Sequence, residues 1–125
     1  MMARYVRLEV AAAAVVVALC AGSALAGVRG LIRNPDNDPD LAQALDHDGE
    51  QNHGVAEKCD QALAARHYLS YLAKVEDPAR RARILVQLGA LFSTNFLRSK
   101  GERPDYDRAI SYFERAIEAE PKGIN

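Results

Sequence analysis

Projected at 100° per residue, the apolar positions from Val55 onward fall into three successive helical patterns, each of a different width. In the first, about 55–75, Val55, Cys59, Ala62, Ala65, Leu69 and Leu72 lie near one line with Lys58 and Arg66 at its margins. That is the single stripe of a helix buried on one side. Asp77 as N-cap and Pro78 as first helical residue open the second, which runs to about Leu97. Its apolar residues go nearly all the way round. Ile84, Leu85, Leu88, Leu91, Phe92 and Phe96 make one broad face, Val86, Ala90 and Leu97 the far side, and Arg83, Gln87, Thr94 and Arg98 gather on a narrow polar strip. A helix so patterned needs neighbours on two sides. The third, from about Pro104 to Glu120, confines Tyr106, Ala109, Ile110, Phe113, Ala116 and Ile117 to one arc and gives Asp107, Arg108, Ser111, Glu114, Arg115 and Glu118 to solvent. The expected fold is therefore all-α, a short antiparallel stack of about three helices with the second in the middle.

Leu85, Leu88, Gly89 and Phe92 on the second helix, and Ala109, Phe113, Ala116 and Pro121 on and after the third, are spaced as in one tetratricopeptide repeat. The segment 85–121 resembles that family, whose helix-turn-helix units stack into a solenoid with a protein-binding surface. Leu85 stands where the family usually has an aromatic residue. Between Phe92 and Ala109 there are about eight more residues than the 34-residue unit allows. Residues 98–104 absorb them, with Gly101 ending one helix and Pro104 beginning the next. The small residues Gly89, Ala109 and Ala116 let Phe92 and Phe113 interdigitate between closely spaced axes. The first helix, stopped before Pro78, looks like the second helix of a degenerate preceding unit, with Ala73 as its other consensus match. A generic three-helix bundle has the same stripes and is the competing reading. The resemblance implies a protein or peptide partner on the concave face, which would present Arg83, Val86, Ala90, Ser93 and Thr94. Relatives that clamp a peptide's terminal carboxylate use Lys and Asn where this chain has Val86 and Ala90. An apolar or mixed peptide, or packing against a neighbouring helix, fits better.

Upstream the pattern changes character. Arg4 and Arg7 precede an uncharged run from Val10 to Val28, and Ala24, Leu25 and Ala26 form a small-x-small site before Gly27. This reads as a signal peptide over 1–26, cleaved to yield a secreted or periplasmic protein. The alternative is an uncleaved inner-membrane anchor on an accessory subunit of an envelope complex, since about 20 apolar residues span a bilayer. The alanine-rich composition makes a weak span, so cleavage is preferred. Lipid attachment at Cys20 is disfavoured because Leu19 precedes it.

Residues 27–54 turn to Asp, Asn, Pro and Gly and are expected to be an acidic flexible linker. Within them Asp38 and Pro39 can start a short helix through Leu45 that Gly49 stops. Asp46, His47, Asp48, Glu50 and His53 suggest a metal loop, but its spacing fails. Counting from Asp46 puts Gln51 and Glu57 where a calcium loop needs glycine and a bidentate glutamate, and counting from Asp36 puts Leu41 and His47 there. No metal or cofactor is assigned.

At 125 residues the chain holds one modest domain. Cleavage after Ala26 removes Arg4, Arg7 and Glu9, so 16 basic and 17 acidic side chains become 14 and 16. With no clustered basic surface, nucleic acid is excluded as a partner. Cys59 alone would remain, a thiol read as a small buried apolar group. His47, His53 and His67 have no nucleophile on a strained turn beside them, and no Gly-rich phosphate loop is present, so catalysis is not assigned. Ordering about 70 residues costs on the order of 100 kcal/mol of conformational entropy, which three helices barely offset. An exposed flank is therefore expected to dock on another protein or on a second copy.

Overall fold

The computed structural model describes residues 30–93 and 103–121. Among the described residues four α-helices follow one another: α1 (Pro39–His47), α2 (Gln61–Leu72), α3 (Pro78–Ser93) and α4 (Tyr106–Ala119), with one 3-10 turn, Ala56–Lys58, between the first two. No strand occurs among the described residues. The four helices belong to one unit of the chain, Ile32–Asn125. The cleavage site at Ala24, Ala26 and Gly27, and the expected extension of the third of these helices to Leu97, lie outside the described residues. So do Thr94 and most of the turn at 98–104.

Every described helix begins on an aspartate that accepts from an otherwise orphaned backbone amide. Asp38 takes Asp40 N at 2.9 Å and Leu41 N at 3.1 Å; Asp60 takes Leu63 N at 3.0 Å; Asp77 takes Arg80 N at 2.9 Å; Asp105 takes Arg108 N at 3.1 Å. Pro39 and Pro78 follow two of these caps, where a proline's missing amide hydrogen costs nothing.

Packing runs in chain order: α1 on α2, α2 on α3, α3 on α4. Each pair is antiparallel, as the cross-contacts show. His47 O accepts from Asp60 N at one end of the α1/α2 pair while Lys74 Nζ reaches Asp38 at the other. Gln61 Nε2 donates to Leu91 O, and Arg80 Nη1 to the Tyr71 hydroxyl, at opposite ends of α2/α3. Asp105 N donates to Phe92 O at 2.9 Å, bringing the start of α4 beside the end of α3. As expected from its apolar girth, α3 has neighbours on two sides, α2 and α4, and is buried without a break from Ile84 to Ala90; α2, expected to be buried on one side only, also lies between two helices, α1 and α3.

Three expectations are corrected. The segment 27–54 is not a linker over its described part: α1 buries Leu41 and Ala44 completely, and Asp48 and Gln51 are buried after it. Its few apolar residues fold because α2 offers them a surface, which composition alone does not register. The first expected helix starts at Gln61 rather than Val55, because Asn52 draws the preceding residues into a turn. Its Nδ2 donates to Asp46 O at 2.8 Å and its Oδ1 accepts from Gly54 N and Val55 N, each at 3.1 Å. His53 and Gly54 carry positive φ there. The buried face of α2 is then Gln61, Ala64, Ala65, Tyr68, Tyr71 and Leu72; Ala62 is exposed and Leu69 half-buried. On α4 the core residues are Ala109, Tyr112, Phe113 and Ala116, while Tyr106 and Ile117 stand in solvent.

Candidate functional site

The α3/α4 pair carries the repeat-like residues, and the structure brings them together. Leu85, Leu88, Gly89, Phe92, Ala109, Phe113 and Ala116 are all buried; Pro121 lies just past α4 and is exposed. The Phe113 ring sits directly on Gly89: a Cβ built there would fall 2.6 Å from Cδ1 and 2.7 Å from Cζ, a distance no side chain tolerates. Phe92 stacks on Tyr112, with centroids 5.8 Å apart and planes 21° from parallel. Arg108 lies 4.6 Å over the Phe92 ring and Arg115 5.7 Å over Tyr112, so the arginines of α4 shield its aromatic seam by cation–π contact. Phe92 therefore finds Tyr112, a residue the hydrophobic arc had left out, and Phe113 finds the glycine.

The five residues expected on a concave binding face are divided. Val86 and Ala90 are buried, at 9% and 4% exposure, and are not a ligand surface. Arg83 and Ser93 are half-buried; Arg83 Nη1 donates to Gln87 Oε1 at 3.2 Å and Ser93 Oγ to Ala90 O at 3.3 Å. Thr94 lies outside the described residues. The polar strip of the inner helix is not a solvent strip either, because Gln87 is turned inward.

Gln87 belongs to a buried polar network that joins three elements. Asp48, 1% exposed at the end of α1, accepts on Oδ2 from the Tyr68 hydroxyl at 2.6 Å and from Gln87 Nε2 at 2.8 Å. Its Oδ1 accepts from Glu50 N at 3.0 Å. Burial pushes the Asp48 carboxyl above its usual range, against the opposing pull of the hydrogen bonds from Tyr68 and Gln87. Burial, and then the nearby Asp48, holds the Tyr68 hydroxyl well above its ordinary value. Enclosed in this way the carboxylate acts as a clamp: α1, α2 and α3 are held to one another through it. The sequence signal was slight. Asp48 sits in an acidic run, and nothing in a single chain marks one aspartate of such a run as buried.

At the other end of α1, Lys74 Nζ pairs with Asp38 and Asp40, both at 2.8 Å, and His67 Nδ1 lies 3.1 Å from Asp40. The Lys74 ammonium holds both carboxyls below their usual range, and they raise Lys74 in return. His47 Nδ1 is 2.8 Å from Lys58 O, and His53 is exposed. Among the described residues no group of three or more His, Cys, Asp or Glu is placed to hold a metal. Cys59 is half-buried, donating to Val55 O at 3.4 Å. A cleft of about 300 Å³ between α1 and the 48–60 loop is lined by Ala42, Leu45, Asp46, Gln51, Asn52, Val55 and Lys58, the ion pair between Asp46 and Lys58 (3.0 Å) among them. No described helix is long and apolar enough to cross a membrane.

No protein-family model matches the chain, and neither a curated protein nor a solved structure does.

Proposed function

We propose that this protein is an exported or envelope-located interaction module, a tetratricopeptide-like scaffold that binds another protein or peptide and has no catalytic activity of its own. The observation that carries the reading is the α3/α4 pair, with the Phe113 ring seated on Gly89 and small residues along the facing helix. Close axes of this kind are what stacked helical repeats need. A second feature supports it. The described helices form two successive hairpins, α1/α2 and α3/α4, each with a long connection (48–60 and 94–105) and joined by a short one (73–77). The long connections depart from the usual tetratricopeptide unit, so the repeat would be a lengthened variant. The N-terminal sequence supports export, with Gly27 as the first residue of the mature chain.

The test is site-specific photo-crosslinking in the native host, with the reactive side chain placed in turn at Arg66, Arg83 and Glu114, combined with N-terminal sequencing. A discrete adduct formed from one face and not the others, on a chain beginning at Gly27, is the expected result. Adducts equal from every position, or from none, would sink the reading. An intact Met1 in the membrane fraction would replace export by anchorage.

A further inference from the structure

Helix α4 has a second face that its packing on α3 leaves uncovered. Around its axis Ala109, Tyr112, Phe113 and Ala116 point into the core. Roughly a quarter turn away, at 100° per residue, Tyr106, Ile110 and Ile117 line up as a ridge. Tyr106 is 59% exposed and Ile117 47%, with Ile110 half-buried between them. Their spacing is i, i+4 and i+11, which sets the three along one stripe on which another helix can lie; Phe113, at i+7, is already committed to the core against Gly89. About a further quarter turn on come Asp107, Glu114 and Glu118, all exposed, none in an ion pair with a described residue.

The charges of α4 are thus sorted. Its acids stand beside the open ridge, while Arg108 and Arg115 are drawn to the opposite flank over the rings of Phe92 and Tyr112. Glu114 and Glu118 are a like-charged i, i+4 pair, an arrangement that slightly destabilises a helix standing alone in water and that a facing cation relieves. We propose that this face docks an amphipathic helical segment of another protein whose apolar ridge is flanked by Lys or Arg. The proposal rests on the interaction-module reading and names the chemistry of the partner. A second copy paired antiparallel across the ridge is the wrong occupant, because the two-fold sets the two acidic rows side by side.

The probe is a synthetic amidated peptide of about 18 residues, five helical turns, with leucines on one face and lysines flanking them. Two controls accompany it: a peptide of the same composition with the leucines scattered round the helix, and a leucine–glutamate version of the facial pattern. Binding to the full chain is followed by fluorescence anisotropy. The facial leucine–lysine peptide is expected to bind at least tenfold tighter than either control, and Ile117→Asp or the pair Glu114→Lys and Glu118→Lys to weaken it tenfold or more. These positions are exposed, so an unchanged far-ultraviolet circular dichroism spectrum separates lost binding from lost folding. Equal binding of the facial and scattered peptides, or indifference to both variants, overturns the proposal. Self-association in sedimentation that Ile117→Asp abolishes overturns it too, in favour of a second copy. If the peptide fails while crosslinking still maps a discrete partner, only the assignment of this face falls.

Discussion

Two residues, Asp48 and Gly89, concentrate the physics of this core. Asp48 is a carboxylate inside a helical stack, tolerable because Tyr68 and Gln87 both donate to it. Removing one donor leaves the charge under-satisfied, so Tyr68→Phe is expected to lower stability by about 2 kcal/mol in urea titrations. The carboxyl also makes stability depend on pH in a defined direction. Its pKa is raised on folding by burial, so its contribution is full below the unfolded aspartate value of about 4 and is lost as pH rises through the folded value. Asp38 and Asp40, lowered by Lys74, act in the opposite sense: their contribution is present above the unfolded value and is lost as pH falls through the lowered ones. The difference between Asp48→Asn and wild type should therefore shift in favour of the variant as pH rises across the Asp48 window. A pH-independent difference would show that the carboxyl is not desolvated. Gly89 is the second residue. Alanine gains about 1 kcal/mol of helix propensity, but here its methyl group meets the Phe113 ring, and overpacking costs about 1–3 kcal/mol. Gly89→Ala should destabilise by about 1 kcal/mol in the wild-type background and become neutral or stabilising when Phe113→Leu makes room. A stabilising Gly89→Ala in the intact chain would contradict the close approach.

Among the helices, α1 tests the architecture most sharply. Its nine residues contain only Leu41, Leu45 and two alanines as apolar groups, yet Leu41 is wholly buried. Truncating a buried leucine costs about 2–5 kcal/mol. Leu41→Ala should therefore lower the urea midpoint substantially, and hydrogen exchange should find the α1 amides protected in the wild type; a flexible linker would show neither. The start of α1 was legible in the sequence from Asp38–Pro39, since a cap and a proline at the first helical position are local chemistry. That the helix belongs to the core was not legible, because its partner surface is supplied by α2 from 61–72 and by Gln87 on α3. The same distinction explains α2. Asp60 is as good a cap as Asp77, but an uninterrupted apolar line from Val55 hid it until the Asn52 turn separated Val55 and Cys59 from the helix.

Taken whole, Ile32 to Pro121 is held by contacts between successive helices, and the Asp48 clamp spans three of them. Such a chain should unfold as one cooperative transition. Tyrosine fluorescence, to which the buried Tyr68, Tyr71 and Tyr112 contribute, and circular dichroism, reporting helix, are expected to give coincident urea curves. A separate early loss of helix with Tyr68 still enclosed would mean that α3/α4 melts independently. What a single line of residues could specify was local: the starts of α1 and α3 from an aspartate followed by proline, that three helices are amphipathic, that α3 needs neighbours on two sides because apolar groups surround it, and that Gly89 marks a close approach. Those properties follow from bonds and periodicities within a few turns. Which face of α2 is buried, whether an acidic stretch is linker or core, and which aspartate of a run carries the internal charge depend on partners 20 to 39 positions away. Only folding brings those partners together, because burial is a property of the surface a residue meets and not of the residue.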